Sequence, residues 1–179
     1  MPRWFRATAP LMHVIITVFV FFLLMSSWWM MALPLPSDIF TYRAFPFQLH
    51  KNVGLTLVVL VLVMLYARVA FLSALRKAGA VVPKMPASAK AQNLILYSLL
   101  LTCSISGYLS SSYSGWGTRL WWLVDLPNWG YDNDELNILY SDIHMWTYYG
   151  LTIIVAVHVG VAVYRGFRNE GIVRRILHL

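Results

Sequence analysis

Two histidines in one long apolar segment, His144 and His158, are the residues of this chain best suited to chemistry. They are 14 residues apart, a spacing that returns an α-helix to nearly the same face about 21 Å further along its axis. A histidine within the hydrocarbon of a membrane is costly and usually has a functional partner. The spacing therefore predicts a helix face that presents imidazoles at two membrane depths, one for each of two stacked cofactors.

The composition indicates an integral membrane protein. Of the 179 residues, 59% are apolar and 12% are charged, and the apolar residues form long runs. Because Cys103 is the single cysteine, the chain has no disulfide, no CxxC pair for zinc and no CxxCH motif for covalent haem attachment. The net charge of +7 does not indicate nucleic-acid binding, because the lysines and arginines cluster at the ends of the apolar runs.

Four membrane-spanning helices are predicted, at residues 9–33, 47–72, 91–112 and 140–165. No cleavage site follows the first of them, so we expect it to be retained. The expected fold is an all-α bundle of four transmembrane helices, a single domain over residues 1–179 with both termini on one side. All but three of the 14 lysines and arginines lie on that side, so the positive-inside rule places both termini in the cytoplasm.

Helix direction sorts the four histidines of the spans into two layers. His13, near the start of the first helix, falls at the depth of His158, and His50, near the start of the second, falls at the depth of His144. Each layer takes its histidines from two helices, the arrangement that grips a flat macrocycle from both faces. The pairs therefore predict two non-covalent haem b groups, each with two histidine ligands.

Other interpretations of these histidines stay open at this point. They could bridge helices by hydrogen bonds. Zinc or copper is less favoured, because no cysteine, methionine or carboxylate stands one turn from any of the four. A proton relay would be expected to add carboxylates deep within the spans, and the sequence places none there.

The chain resembles the bacterial cytochrome b561 family, four-helix di-haem proteins related to the cytochrome b subunits of nickel-iron hydrogenase. The resemblance covers nearly the whole chain. It is carried by His13, HKNVG at residues 50–54, Arg68, Tyr97, ISGYL at residues 105–109, LWWLVDLP at residues 120–127, His144 and His158. It departs from the family's pattern towards the cytoplasmic side, where Met64, Lys90, Asn93, Arg165 and Gly166 stand. These departures leave the four axial positions unchanged.

The resemblance implies a di-haem b-type protein of the bacterial inner membrane that exchanges electrons with ubiquinone or another quinone. The resemblance also leaves open a superoxide:quinone oxidoreductase, because some family members oxidise superoxide and pass the electron to ubiquinone. The alternative is a cytochrome b subunit that anchors a larger respiratory dehydrogenase to the membrane. A third, non-redox interpretation is a structural or transport bundle. The expected partners are lipid, quinone and either a periplasmic redox protein or another subunit, with no nucleic acid.

Basic residues beside each layer are expected to pair with haem propionates. They are Lys51 and Arg119, with Arg43, on the outer side, and Arg68 and Arg165 on the inner side. Interfacial snorkelling is the alternative role for Arg43 and Arg119.

An aromatic outer loop between the third and fourth helices is expected to lie on the membrane surface. Two roles are open for this loop: it helps to form a pocket over the outer haem, or it serves only as a membrane anchor. Its aromatic residues are Tyr113, Trp116, Trp121, Trp122, Trp129 and Tyr131. The outer face carries six acidic residues against Arg43, Lys51 and Arg119. We therefore rank exchange with neutral quinone above oxidation of anionic superoxide.

Overall fold

The computed structural model of the chain describes residues 3–32, 40–81 and 86–168. Within them are four long helices and one small β-hairpin: α1 (Arg3–Ala32), α2 (Phe40–Lys77), α3 (Ala87–Tyr113), β1 (Thr118–Leu120), β2 (Val124–Leu126) and α4 (Asp134–Arg168). Each helix contains a segment long and apolar enough to cross a membrane. The predicted all-α membrane protein with four spanning helices is therefore confirmed.

The helices extend beyond the apolar runs from which they were predicted. The α4 helix starts six residues before the predicted span, at Asp134, because Asp134 and Glu135 suit the positive N-terminal end of a helix and the Asn133 Oδ1 accepts the Leu136 N–H (3.0 Å). The α2 helix continues to Lys77, and Gly79, two residues after its end, has a φ of 65°. These helix ends are polar, so hydropathy alone does not locate them.

The helices pack mainly as two pairs, α1 with α2 and α3 with α4, and α2 and α3 join the pairs. All four helices contribute to the buried core, which consists of Ile16, Val20, Leu57, Val61, Leu100 and Leu151. Many large apolar side chains lie on the outside instead, among them Val59, Leu62 and Ile153. An apolar exterior around a small apolar core is expected where the surrounding solvent is lipid.

The outer loop contains an antiparallel hairpin that the sequence analysis did not predict. In its register Arg119 faces Asp125 and Leu120 faces Val124. The turn places Trp121 and Trp122 at φ angles of 46° and 61°, and the Leu123 N–H donates to the Leu120 carbonyl (2.9 Å). Two positive φ angles are typical of Asn-Gly turns, so a Trp-Trp turn carries no local signal and depends on contacts with the rest of the fold.

Candidate functional site

The structure brings together both predicted histidine pairs, one pair in each layer. The ring centroids of His13 on α1 and His158 on α4 are 6.4 Å apart, with an angle of 41° between the ring planes. Those of His50 on α2 and His144 on α4 are 6.3 Å apart, with an angle of 83°. Below, these pairs are called the inner layer and the outer layer respectively.

These separations suit a single metal atom between two imidazoles. Two rings on opposite sides of one metal, each bonded at about 2.0 Å, have centres about 6 Å apart. Direct hydrogen bonding between the rings would bring the centres closer, to about 5 Å. Within the described residues, no group of three or more histidine, cysteine or carboxylate side chains could hold a metal ion. Each layer offers two imidazoles at the separation expected of two ligands on opposite sides of one metal.

The outer rings are oriented by hydrogen bonds to their Nδ1 atoms. The Nδ1–H of His144 donates to the Cys103 carbonyl of α3 at 2.7 Å, and the Cys103 thiol donates to the His144 carbonyl at 3.8 Å. The Nδ1 of His50 lies 3.1 Å from the Ser26 hydroxyl oxygen of α1. A metal-ligating histidine commonly has a partner on one ring nitrogen, which leaves the other for the metal. In both outer rings the hydrogen-bond contact is at Nδ1, and Nε2 is the other ring nitrogen.

Gly107, the glycine of the ISGYL motif, makes room for the His144 ring. A β-carbon at position 107 would lie 2.8 Å from both Cε1 and Nδ1 of His144. Such a contact would force the ring to move, because the neighbouring atoms belong to a rigid imidazole held by hydrogen bonds. The absence of a side chain at Gly107 thus lets α3 and α4 approach closely at this position, as small residues do in membrane helices.

The inner layer has fewer supporting contacts. His13 is exposed and His158 is half-buried, and neither ring makes a hydrogen bond to another residue that the structure describes. Of the basic residues expected beside this layer, Arg68 is half-buried and Arg165 is exposed.

Two basic residues of the outer side, Lys51 and Arg119, make contacts in or beside the hairpin. The Lys51 ammonium donates to the Gly117 carbonyl at 3.5 Å. The Arg119 Nε lies 3.3 Å from the Asp125 carboxylate, and both side chains are exposed. The side chain of Arg43 lies outside the part of the chain that the structure describes. Arg119 thus has an acidic partner that the sequence analysis did not anticipate.

A polar stripe on α2 fastens the hairpin beside His50, and sequence reasoning missed it. Gln48 donates to the Arg119 carbonyl, the Trp121 N–H donates to the Asn52 Oδ1 (3.0 Å), and the Trp121 indole donates to Thr56 (3.0 Å). Their spacing of four residues places these α2 side chains on one helix face. Polar residues repeated every four positions within an apolar run are the sequence signal that could have predicted this stripe. The Asn52 side chain is 0% exposed, and its Nδ2 has no partner among the described residues.

An apolar groove of about 330 Å³ lies between α1 and α2 at the level of the outer layer. Its lining includes Ser26, which also reaches His50, and Phe45, whose ring stacks on Trp122 with a centroid separation of 5.5 Å. The remaining lining residues are Phe22, Met25, Trp29, Pro46 and Leu49. The groove therefore shares Ser26 with the outer layer and Phe45 with the contacts of the aromatic turn.

Comparison with known families supports the resemblance seen in the sequence. A family model described as prokaryotic cytochrome b561 matches residues 4–179. Comparisons with curated proteins and with solved structures gave no match. Because the family model spans nearly the whole chain, including both histidine layers, this chain belongs to the prokaryotic cytochrome b561 family and is a multi-pass membrane b-type cytochrome that binds haem b and acts in electron transfer.

Proposed function

We propose that this cytochrome carries two haem b groups, one in each layer, and conducts electrons across the bacterial inner membrane in exchange with the quinone pool. The observation that carries the proposal is the pair of ring separations, 6.3 Å in the outer layer and 6.4 Å in the inner layer. Haem b held by two histidines supplies reversible one-electron transfer and leaves no open position at iron for oxygen.

The protein's own contribution is to set the depth and orientation of each site. The single helix α4 provides one ligand to each layer, and the 14-residue spacing of His144 and His158 holds the layers about 21 Å apart along its axis. The Cys103 carbonyl and the Ser26 hydroxyl fix the outer rings. Two sites at different depths shorten each electron-transfer step across the bilayer.

The hairpin side is proposed to face the periplasm. The distribution of lysine and arginine supports this orientation, because 11 of the 14 lie near the termini, in the connection between α2 and α3 or in the helix ends that flank this connection. The outer layer would then meet periplasmic or membrane-dissolved partners, and the inner layer would lie towards the cytoplasm.

Quinone exchange at the outer layer is supported by the groove between α1 and α2. Its walls are largely aromatic and aliphatic, it lies within the spanning segments, and the Trp29 indole provides an N–H donor for a ring oxygen. Superoxide is less favoured, because an anion needs a net positive approach. The positive charge of Arg119 is partly neutralised by Asp125. Lys51, next to His50 in the sequence, then remains as the main described positive charge for attracting an anion to the outer layer.

The second candidate, a membrane anchor for a larger dehydrogenase, is favoured by the exposed apolar surface of the outer loop. Leu123, Trp129 and Tyr131 are 82%, 69% and 96% exposed. An apolar patch of this kind suits either the membrane interface or a protein partner. Copurification of a catalytic subunit in constant proportion would support the anchor function.

Stopped-flow mixing of the oxidised, haem-loaded protein with a short-chain ubiquinol analogue or with superoxide tests the proposed substrate. We expect fast haem reduction by the quinol and slow reduction by superoxide that does not depend on salt. Reduction by superoxide near the diffusion limit, weakening as salt rises, would overturn the preference for quinone.

A further inference from the structure

Ser26 is the side chain that connects α1 to an outer histidine. We propose that Ser26 is a positioning residue that orients His50 and lowers the midpoint potential of the outer haem, an inference that rests on the proposed ligation of haem by His50. The Ser26 Oγ lies 3.1 Å from the His50 Nδ1 and 3.2 Å from the Leu23 carbonyl of its own helix.

The two contacts of Ser26 define the direction of its hydrogen bonds. A serine hydroxyl has a single proton and can accept through its lone pairs. A carbonyl oxygen can only accept a hydrogen bond, so the Ser26 hydroxyl uses its single proton to donate to the Leu23 carbonyl. The Ser26 oxygen then accepts the Nδ1–H of His50, and the Nε2 lone pair of that ring is left for iron. The serine thereby selects the ring tautomer that can ligate.

The two ligands of the outer layer differ in how they are held. His144 is fixed by a main-chain carbonyl, that of Cys103, which a change of side chain does not remove. His50 is fixed by a side-chain hydroxyl. Replacing Ser26 therefore alters one ligand of one layer and leaves the backbone acceptor of the other ligand in place.

A hydrogen-bond acceptor on Nδ1–H makes an imidazole a stronger electron donor to its metal. Stronger donation stabilises ferric iron more than ferrous iron and lowers the reduction potential. Loss of the Ser26 acceptor should therefore raise the potential of the outer haem. The inner layer contains neither Ser26 nor His50, so its potential should not change.

Ser27 provides a matched control on the same helix turn. Its hydroxyl donates to the same Leu23 carbonyl, at 2.7 Å, without a hydrogen bond to His50. The Ser26→Ala, Ser26→Thr and Ser27→Ala proteins, each full-length and haem-loaded, would be compared by potentiometric titration and by electron paramagnetic resonance of the ferric state. The His50→Ala protein should lack the outer haem, so the redox step and ferric signal that it loses are those of the outer haem.

We expect Ser26→Ala to raise the outer midpoint potential and shift the outer ferric signal while the inner haem is unchanged. Ser26→Thr, which keeps the hydroxyl, should restore the wild-type values, and Ser27→Ala should match wild type. Loss of the outer haem in Ser26→Ala with rescue in Ser26→Thr would equally support the positioning role. A Ser26→Ala protein indistinguishable from wild type, or equal changes in Ser26→Ala and Ser27→Ala, would overturn it.

The wild-type protein separates this inference from the proposed function. If wild type lacks two low-spin haems, the proposed function fails whatever Ser26 does. If wild type has both and Ser26→Ala changes neither, the inference about Ser26 alone fails.

Discussion

Gly107 of α3 lies against the imidazole of His144 on α4 so closely that a β-carbon on residue 107 would be 2.8 Å from two ring atoms. The same ring donates its Nδ1–H to the Cys103 carbonyl, one helix turn before the glycine. The α3 backbone therefore both accepts a hydrogen bond from the ring and lies so close to it that no side chain fits at position 107. A glycine is required at position 107 for close packing, whereas its backbone there is ordinary helix.

Gly107→Ala should weaken the outer haem site while the helices still form. A displaced His144 ring loses its fixed orientation, and disturbing the surroundings of a ligating histidine typically costs about 10- to 100-fold in affinity. The haem-to-protein ratio of the purified protein measures this loss. Gly150→Ala is the matched control at the same α3–α4 interface, because its β-carbon would meet Leu99 at an ordinary 3.6 Å. Full haem content in the Gly107→Ala protein would contradict this role of the glycine.

Replacing one histidine of each layer should remove one haem at a time. We expect His50→Ala to lose the outer haem and keep the inner one, and His13→Ala to show the reverse, because the two pairs share no histidine. Redox titration of the two variants, each serving as the control for the other, resolves the remaining component. Equal loss of both haems from either change in folded protein would count against two independent layers.

Lys51→Gln should lower the potential of the outer haem, because removing a positive charge beside a haem propionate favours the oxidised state. A difference of about 0.5–1 kcal/mol between the two redox states corresponds to about 20–40 mV for one electron. Arg119→Gln is the comparison variant and should have a smaller effect, since its guanidinium already faces Asp125. An unchanged potential in the Lys51→Gln protein would remove the propionate assignment for that lysine.

The aromatic turn should contribute to quinol oxidation. The paired change Trp121→Leu and Trp122→Leu removes the indole hydrogen bond to Thr56 and the stacking on Phe45, a lining residue of the groove. Losses of about 0.5–1.5 kcal/mol in such contacts correspond to about 2- to 10-fold weaker binding of a quinol analogue.

Stopped-flow haem reduction over a range of quinol concentrations measures the effect of the turn. Trp129→Leu, in the same loop but 69% exposed, is the control. If the paired change altered neither the quinol dependence nor the sensitivity to a quinone-site inhibitor, membrane anchoring alone would be the better account of the turn.

The histidine layers could be predicted from the sequence because they depend on helix direction and helical rise, and both follow from the apolar runs. His13 and His158, 145 positions apart, meet for that reason alone. The partners of the outer rings could not be predicted. The contact of Ser26 with His50 depends on how α1 is rotated against α2, which the apolar run of α1 does not specify.

The hairpin was missed for a different physical reason. Its turn residues, Trp121 and Trp122, have no intrinsic preference for positive φ, so the turn is stabilised by tertiary contacts with Asn52, Thr56 and Phe45. Local sequence rules describe turns that form by themselves. The partners of this one lie about 65 to 77 residues earlier in the chain.

Haem quantification of the purified wild-type protein, combined with electron paramagnetic resonance of its ferric state, tests the two-layer account most directly. The account predicts two haem b groups per chain, both low-spin. Their signals should differ, because the ring planes meet at 83° in the outer layer and 41° in the inner layer, and ligand-plane orientation sets the splitting of the iron d orbitals. One haem per chain, or a high-spin ferric haem in undamaged protein, would contradict it.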